Sequence, residues 1–570
     1  MRLSVTKYKN GLSFYVIKSV YKDGVRSTKV VEKLGTETEL REKLKGQDPV
    51  LWAKEYIKKL NREEKEQTRE VLIKYCPVKQ INKDEQRLFN GGYLFLQHIY
   101  HQLGLKKIIE TISEKYRFAF NLDSVLSRLV YGRIIFPSSK KATYELCQKF
   151  IEKPDFELQH VYRALEIMAK ETDFIQSELY RNSTALSKRN TAVLYYDCTN
   201  YFFETEQEEG LKQYGYSKEF RPNPIVQMGL FMDGDGIPLA FSINKGDTNE
   251  QITLRPLEKK ILSDFGLSRF IICTDAGVSG ASNRAFNNYA NRGFIVTQSL
   301  KKLKQHLRTW ALDPSGYCLA GDSKTYDIRT INEDEHKDSI FCKERWINED
   351  GLEQRLIVTY SVKYKDYQRR VRDCQIRRAH KLVDTHPSKI TKVNQNDCRR
   401  FIVKTSHTDS GEIAGRTAYS VDESIVAGEA QYDGLYGVCT NLEDEASIIA
   451  KVNKRRWMIE ECFRIMKSEF KARPVYLSRD DRITAHFTSC FLSLVIYRLL
   501  ERKLDDKFTY CQIIDGLRSM NFYSVLGEGY IPAYTRNDFT DALHEAFGFR
   551  TDYQILTDRG LKKILRDTKK

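Results

Sequence analysis

The sequence predicts an α/β protein in which a mixed-sheet core is interrupted by a large, partly β insertion and preceded by a β-meander and a helical module. Three observations lead to this prediction. The chain has 570 residues, too many for a single hydrophobic core. In its middle third, strand-like apolar runs alternate with helical patterns, and two of these runs carry an aspartate. A hydrophobic content of 41% with 12% aromatic residues is typical of folded cores, not of disorder.

The charge balance points to a polyanionic partner. Lys and Arg number 93 against 77 Asp and Glu, a net charge of +16 that in a large globular protein most often accompanies nucleic-acid binding. The longest apolar run, residues 491–500, contains Arg498 and is too short to span a bilayer, so we expect no membrane association. Residues 1–10 alternate between polar and apolar and show no signal peptide.

The twelve cysteines form no C-x-x-C pair and show no regular spacing. This excludes a zinc ribbon and a disulfide framework, and it predicts a reducing compartment, which we take to be the cytoplasm. Five of the cysteines lie within apolar segments and are expected to be small core residues: Cys198, Cys273, Cys439, Cys462 and Cys490.

The N-terminal segment, residues 1–75, predicts a β-meander and a helix. Strand-like residues 12–20 and 29–34 flank a turn at 22–24, and Asp48 followed by Pro49 is typical of a helix start. Residues 80–187 form a helical pattern, including one long helix over 161–179. This module is either a sequence-specific DNA-binding domain or a helical packing domain, because no turn-and-recognition-helix signature is present.

From residue 190 to 305 the pattern of apolar residues changes from that of helices to that of β-strands. The pattern predicts three antiparallel strands, then a helix and further strands, which describes a mixed sheet of the ribonuclease-H type. Residues 306–430 interrupt it with short strands and a basic helix, 363–383, which is either a surface that follows DNA phosphates or a solvated face. The core resumes over 431–505 with a strand and with a helix that begins near Asp444 or Glu445, and residues 506–570 are helical.

Two aspartates of this core lie in or next to apolar strands, where an unpaired charge costs free energy. Asp197 lies within an apolar strand, and Asp275 ends another strand and precedes Ala276-Gly277. An unpaired carboxylate in such a place costs several kcal/mol by rough estimate, and a divalent metal compensates it. Because only oxygen ligands are offered, Mg²⁺ or Mn²⁺ is favoured over zinc.

The third acidic position is on a helix. At about 100° per residue, one face of residues 456–467 carries a charged stripe: Arg456, Glu460, Arg464 and Lys467. A carboxylate between cations suits a metal ligand whose neighbours bind phosphate. A solvated ladder of salt bridges is the alternative.

Taken together, these motifs resemble those of DDE transposases of bacterial insertion sequences, in the group with a ribonuclease-H-like core and a Y-x2-R-x3-E-x6-K signature. Arg456, Glu460 and Lys467 fit that spacing, while Asn453 stands at the tyrosine position. The resemblance extends to five further segments: Asp197-Cys198-Thr199, Gly215-Tyr216-Ser217-Lys218, Gly246-Asp247-Thr248-Asn249, Thr274-Asp275-Ala276-Gly277 and Pro137-Ser138-Ser139-Lys140. The 185-residue separation of Asp275 from Glu460 implies the insertion domain found in this group.

The resemblance implies that Asp197, Asp275 and Glu460 are catalytic and hold two Mg²⁺ ions, for which Mn²⁺ can substitute. It also implies that Arg456 and Lys467, and secondarily Arg464, contact DNA. The expected partners are double-stranded DNA, as terminal inverted repeats and as target, and a second copy in a homodimer. Location on a bacterial nucleoid in the cytoplasm follows from the same resemblance. Two alternatives stay open: a non-catalytic DNA-binding protein derived from a transposase, and a ribonuclease-H-like structure-specific nuclease.

Overall fold

The structure is a computed structural model of the whole chain. It describes all residues except 9–10, 23–24, 45–46, 68–69, 74–75, 290, 323, 350, 386–396 and 408–415. The predicted turn at 22–24 therefore lies largely outside the described residues. The chain divides into two compact units, residues 1–85 and residues 86–570.

The first unit is a three-stranded antiparallel sheet followed by two helices. Its elements are β1 (Arg2–Tyr8), β2 (Gly11–Lys22), β3 (Val25–Thr36), α1 (Glu37–Lys43) and α2 (Pro49–Gln67). Helix α2 begins at Pro49 because the Asp48 carboxylate accepts the Val50 N–H at 2.8 Å, which satisfies a free backbone donor. The sequence analysis assigned no strand to β1, although its residues alternate between polar and apolar.

The second unit opens with a short strand and a group of helices. These are β4 (Leu88–Asn90), α3 (Tyr93–Gln102), α4 (Leu105–Lys115), α5 (Leu122–Ile135), α6 (Lys140–Cys147), α7 (Leu158–Lys170) and α8 (Thr172–Leu186). The single helix predicted over 161–179 was wrong, because the chain breaks at Glu171 into α7 and α8. Both helices keep an apolar face, so the periodicity did not reveal the break.

The next elements alternate between strands and helices. They are β5 (Val193–Phe202), β6 (Ile225–Asp233), β7 (Pro238–Lys245), α9 (Glu250–Asp264), β8 (Ile271–Thr274), α10 (Ala281–Phe286) and β9 (Gly293–Gln298). The interrupting region contains α11 (Gln305–Leu312), β10 (Tyr317–Leu319), β11 (Thr325–Tyr326), β12 (Phe341–Glu349), β13 (Leu352–Tyr360), α12 (Val362–Thr385), β14 (Ile402–His407), β15 (Arg416–Val421) and α13 (Glu423–Ala430).

The remaining elements close the sheet and cover it with helices. They are β16 (Leu435–Thr440), α14 (Ala446–Lys454), α15 (Trp457–Arg464), α16 (Asp480–Lys503), α17 (Tyr510–Ser519), β17 (Asn521–Val525), β18 (Gly529–Pro532), α18 (Asp538–Phe547) and α19 (Asp558–Asp567). A single π-helical turn, Ile465–Glu469, follows α15 directly.

One large mixed sheet dominates the second unit. Within the described residues it has ten strands in the order β11-β10-β12-β13-β16-β9-β8-β5-β6-β7. Strand β8 runs parallel to both β5 and β9, and the other neighbours are antiparallel. Strands of the interrupting region, β10 to β13, therefore continue the core sheet through β16.

The two faces of β5 pack against different helices. Tyr196 and Cys198 belong to the apolar cluster that includes Leu254 and Leu257 of α9. Tyr195 and Tyr201 belong to the larger cluster that also contains residues of α15 and α16. Because side chains alternate along a strand, Asp197 lies on the same face as Tyr195 and Tyr201, towards the helices that follow β16.

Helix α16 is the central helix of the larger core and contacts α3, α5, α7 and β7. It is long and apolar enough to span a membrane, with a mean hydropathy of 1.5, but 83% of that window is buried inside the fold. The sequence argument from length was wrong here, since the apolar run is part of a 24-residue helix. The five cysteines expected in the core are buried, in agreement with the prediction.

Candidate active site

The register of two parallel strands brings the aspartates together. Tyr196 of β5 pairs with Thr274, the last residue of β8, so Asp197 is the next residue of β5 and Asp275 is the first residue after β8. Asp275 lies two positions after Cys273, which belongs to the same apolar cluster as Tyr195, and the Asp275 carboxylate is close enough to Asp197 to act on its pKa. Strand β5 contacts α15 and strand β8 contacts α14, so the two aspartates lie in the region of these helices.

The electrostatics of Asp197 reflect this proximity. Burial and the neighbouring Asp275 carboxylate raise the pKa of Asp197 to about 6, against the opposing effects of Lys218 and Arg456. The Asp197 carboxylate also accepts the N–H of Cys198 at 2.7 Å. A carboxylate that is crowded by another carboxylate is stabilised in its charged form by a bound cation.

The loop after β8 keeps Asp275 accessible. Its Oδ1 accepts the N–H groups of Gly277 at 2.8 Å and Val278 at 3.3 Å, which fixes the side chain at the strand end. A Cβ at Gly277 would lie 3.2 Å from Asp275 Oδ1 and 3.6 Å from a carboxylate oxygen of Glu250. The glycine therefore leaves open a space between two carboxylates.

The predicted single helix carrying Glu460 was wrong in its boundaries. The structure ends α14 at Lys454, and α15 begins at Trp457 with Arg456 as its N-cap residue. After Arg464 the chain forms the π-helical turn, which contains Lys467. This turn departs from the α-helical period of 3.6, so the charged stripe read from the sequence does not continue along one face.

Arg456 connects the strands to the helix. Its guanidinium lies 3.8 Å from Glu460, with 15% of the arginine side chain exposed. The same cation acts to lower the pKa of Asp197, and it also acts on the buried Cys273 thiol, two residues before Asp275. Its buried Nε has no hydrogen-bond partner among the described residues. Arg456 therefore carries an uncommitted donor at the centre of the site.

Glu460 is the least constrained of the three predicted ligands. Its side chain is 65% exposed, in the first turn of α15, and Arg456 is the cation beside it. Strand β5 contacts α15, so helix and aspartates share one region. The oxygens of Asp197, Asp275 and Glu460 do not all lie within 4.8 Å of one another in the described chain; a different group does so.

That group is Asp541, His544 and Asp552, in and beside α18. Its carboxylates are already paired, because Arg550 contacts Asp552 at 2.6 Å and Asp541 at 3.0 Å, and Arg536 contacts Asp541 at 2.7 Å. His544 Nε2 accepts the backbone N–H of Thr551 at 3.2 Å, so the ring proton is on Nδ1, the atom that faces Asp552. The cluster is a network of ion pairs and not a ready metal site.

Lys467 lies at the strand side of the site. Its Nζ donates to Glu219 at 3.5 Å, and burial together with the nearby Lys218 lowers the pKa of Lys467 to about 8, while Asp197 acts to raise it. Arg464 differs. It is half exposed and pairs with Glu461 at 3.5 Å and Glu469 at 3.4 Å on its own segment.

Two residues to which the sequence assigned no role also belong to this region. Lys218 Nζ donates to the carbonyl of Cys198 at 2.6 Å and lies 2.8 Å from Glu250. Burial acts to lower the pKa of Lys218, but Asp197 and Glu250 more than offset it, so the pKa is raised. The sequence contained a signal for Lys218 in the Gly215-to-Lys218 segment, whereas Glu250 is one ordinary acid at the start of a helix.

The C-terminal end of the segment that carries Lys467 is held by buried bases. Arg133 donates to the Phe470 carbonyl at 2.9 Å, and His486 Nε2 lies 3.1 Å from the Ala472 carbonyl. Lys140 is 5% exposed and donates to Ser489 at 3.3 Å. Burial and Arg133 lower the pKa of Lys140 to about 7. Arg133 thus ties the helical module to the segment that carries Lys467, and Lys140 ties it to α16.

Asn453, at the tyrosine position of the signature, is 3% exposed. Its Nδ2 donates to the hydroxyl of Tyr436 at 3.1 Å, and that hydroxyl lies 2.8 Å from Thr297. A tyrosine hydroxyl is thus present beside residue 453, supplied by β16.

Comparison with known proteins assigns the chain to a family. The sequence model of the family described as "Transposase DDE domain" matches residues 201–496, more than half of the 570 residues. The chain therefore belongs to the DDE-domain transposases. The matched range contains Asp275 and Glu460 and begins four residues after Asp197.

No curated protein matches the chain. Among solved structures, "Cryo-EM structure of piggyBac transposase synaptic complex with hairpin DNA (SNHP)" aligns over 84% of this chain and 84% of its own. The sequence identity is 7% and the TM-score is 0.35, too low to support an argument.

Proposed function

We propose that this transposase belongs to the Y-R-E-K group of bacterial insertion sequences. It cleaves phosphodiester bonds at the ends of its element and joins the freed 3′-hydroxyl ends to target DNA. The observation that carries the proposal is the placement of Asp197 and Asp275 directly after the paired residues Tyr196 and Thr274, with β5 in contact with the helix that carries Glu460. Family membership supplies the general function, and the residues supply the finer assignment.

The sheet order supports a ribonuclease-H-like core. Strands β7, β6 and β5 are antiparallel neighbours, and β8 and β9 continue the sheet in parallel with β5. This matches the arrangement expected from the sequence, in which three antiparallel strands precede a helix and further strands.

The residues fit a pair of Mg²⁺ ions, for which Mn²⁺ can substitute. The donors are carboxylate oxygens, Asp275 raises the pKa of Asp197, and Gly277 leaves space between Asp275 and Glu250. Asp197, Asp275 and Glu460 would hold the ions. Two such ions supply activation of the attacking hydroxyl and stabilisation of the leaving oxygen.

The basic residues position the DNA in this proposal. Arg456 offers its unpartnered Nε and Lys467 its ammonium to phosphate oxygens near the scissile bond, where charge-assisted hydrogen bonds are strong. Arg464 is a weaker candidate because Glu461 and Glu469 already pair with it.

The partners follow from the reaction. Terminal inverted repeats and target duplex are the substrates, and two copies of the chain bring two ends together as a homodimer. The net charge of +16 and the exposed cations of α12 suit binding to duplex DNA. The site of action is the nucleoid in the bacterial cytoplasm.

The test is a reaction of purified protein and Mg²⁺ with a plasmid that carries the ends of the chain's own element. Wild type and Glu461→Gln are expected to cleave the ends and join them to a second DNA. Glu460→Gln is expected to bind the ends without yielding products. The adjacent Glu461 is a matched control, because it pairs with Arg464 and Arg498 and not with Arg456.

Specific binding without products from wild type would replace the proposal with a non-catalytic DNA-binding protein. Cleavage that requires no terminal repeat, with no joining, would replace it with a structure-specific nuclease. Products from Glu460→Gln would move the third ligand to another carboxylate.

A further inference from the structure

Two cysteines face each other across neighbouring strands of the large sheet. Cys318 of β10 and Cys342 of β12 are register partners in an antiparallel pair. Within the described strands, no other two cysteines occupy facing positions. Both side chains are free thiols and partly exposed, whereas the five cysteines of the apolar segments are buried. This pair therefore differs from the cysteines that serve as small core residues.

The register places the two thiols within reach of a covalent bond. Facing residues of an antiparallel pair have Cα atoms about 4.5–5.5 Å apart, and their side chains lie on the same face of the sheet. A disulfide joins residues whose Cα atoms are about 4.4–6.8 Å apart, so the pair falls within this range. Cys318 is also close enough to Cys342 to act on its pKa. A bond between them thus requires side-chain rotation and little movement of the backbone.

The surroundings of Cys342 keep its thiol protonated. Burial raises the pKa of Cys342 to about 12, and the carboxylates of Glu344 and Glu445 act in the same direction. The thiolate, and not the thiol, is the nucleophile in exchange with a disulfide. Cys342 is therefore suited to the second step of such an exchange, and Cys318 to the first.

Strand β10 is attached to the sheet by few bonds. It is three residues long and meets β12 along two register pairs, Cys318 with Cys342 and Leu319 with Phe341. A covalent bond at one of these pairs would hold β10 against β12 far more firmly than the backbone hydrogen bonds do. The cysteine pair therefore lies where a single bond has the largest effect on the attachment of β10.

The pair also lies next to the helix that leads to the active site. Strand β12 contacts α14, and Glu445, which acts on the pKa of Cys342, is the N-cap residue of that helix. Helix α14 ends at Lys454, two residues before Arg456. A chemical change at the cysteine pair would therefore take place beside the start of the segment that carries the third predicted ligand.

We propose that Cys318 and Cys342 form a reactive dithiol site that exchanges with small disulfides and closes into an intramolecular disulfide. The Cys318 thiolate attacks one sulfur of the incoming disulfide, which forms a mixed disulfide and releases one small thiol. Cys342 then gives up its proton and attacks the Cys318 sulfur, which releases the second small thiol. The two protein thiols are oxidised, and the incoming disulfide is reduced to two thiols that carry the two protons.

The site is reversible and depends on the surrounding thiol pool. Excess small thiol drives the exchange backwards, so in a reducing compartment the pair is open. A rise in the concentration of small disulfides closes it and ties β10 to β12. This chemistry needs neither DNA nor a metal ion, so it is independent of the proposed function.

The experiment treats the full-length protein with oxidised glutathione under native conditions, blocks the remaining thiols with iodoacetamide and maps the cysteines by mass spectrometry. Wild type is expected to yield a peptide pair joined through Cys318 and Cys342, which excess dithiothreitol separates again. Glutathione that stays on Cys318 of wild type, with no bond to Cys342, would overturn the proposal. Two cysteines that both remain unmodified would overturn it as well.

Variants of the two positions assign the two steps. Cys342→Ser removes the second nucleophile, so glutathione is expected to accumulate on Cys318. Cys318→Ser removes the first nucleophile and should leave Cys342 free. Cys511→Ser is the matched control, because Cys511 is an exposed cysteine of another element, and this variant should form the bond as wild type does. Rapid glutathionylation of Cys342 in Cys318→Ser would contradict the assigned order.

Thermal unfolding measures whether the bond forms within the native sheet. Oxidation is expected to raise the melting temperature of wild type by about 3 °C, because the bond closes a loop of about 25 residues. The same treatment of Cys342→Ser should give no rise, which separates the bond from the effect of glutathione on exposed cysteines. An unchanged or lower melting temperature of oxidised wild type would mean that the two strands must separate before the bond can form.

Discussion

The strand-borne and helix-borne parts of the site are held in the fold in different ways. Asp197 is fixed by the hydrogen-bond register of β5 and β8, and Asp275, the residue after β8, is fixed by the N–H groups of Gly277 and Val278. Glu460 lies in the first turn of a short helix, 65% exposed, beside Arg456. The fold thus preorganises the aspartates and leaves the glutamate adjustable, so a cation that binds the aspartates would complete the site by drawing the glutamate in.

The largest effect on end cleavage is expected from a substitution of Asp197, in the strand-borne part of the site. Asp197→Asn should lower end cleavage by roughly a thousandfold or more, because the ligand cannot be replaced by a neighbour on the same strand. The rise in thermal stability produced by Mn²⁺ should disappear with it. Calorimetry and the plasmid assay measure both.

Asp173→Asn is the control for that variant, since Asp173 is 55% exposed and pairs on the surface with Lys260. Cleavage and Mn²⁺ stabilisation should match wild type. Full activity of Asp197→Asn would show that the register of β5 and β8 does not define the site.

The next effect concerns Lys140, a buried lysine that donates to Ser489 of α16. In the folded protein, burial lowers the pKa of Lys140 to about 7 from an ordinary value of 10.5. Between these values the unfolded chain binds more protons, so the free energy of unfolding rises with pH. From pH 7 to pH 9 the contribution is about 2–3 kcal/mol.

Chemical denaturation of wild type and Lys140→Met across this range checks the prediction. The difference between the two proteins isolates Lys140 from the titrating thiols, including that of the nearby Cys490. A difference that does not depend on pH would mean that Lys140 keeps its charge in the fold.

A smaller effect compares two arginines of the helix-borne part. Arg456→Ala should lower cleavage about 10–100-fold, because a buried charge-assisted contact is lost. Arg464→Ala should change cleavage about threefold or less, since this exposed side chain pairs with Glu461 and Glu469. Steady-state rates on the same plasmid give both values, and equal losses would return Arg464 to the DNA-contact surface.

The smallest effect is expected from filling the space between the carboxylates of Asp275 and Glu250. Gly277→Ala places a Cβ 3.2 Å from Asp275 Oδ1 and should weaken Mn²⁺ binding about fivefold. Gly428→Ala is the matched control, because nothing lies within 4 Å of its added Cβ. Electron paramagnetic resonance of free Mn²⁺ measures both affinities, and an unchanged affinity for Gly277→Ala would place the cation elsewhere.

The sequence predicted most of the strand-borne part of the site. It predicted less of the helices and loops around it. Apolar runs with Asp197 and Asp275 mark their strands because burial leaves a local signature in the sequence. Glu250 left none, since its proximity to Lys218 depends on how α9 packs. The break before Trp457 was hidden by an uninterrupted helical pattern.

The Tyr436 contact illustrates the same limit. The sequence showed only that Asn453 stands where the signature has tyrosine. The hydroxyl beside Asn453 comes from β16, 17 positions away, and its location follows from sheet register and not from local spacing.

The continuity of the ten-stranded sheet bears on how the protein can be divided. Strand β13 bonds along six residues of β16, so removal of the interrupting region would expose a row of free backbone donors and acceptors at the edge of the remaining core sheet. Exposed edges of this kind recruit other chains and cause aggregation. The interrupting region is thus a protective border for the sheet, and a shortened enzyme would need a new border strand to stay soluble.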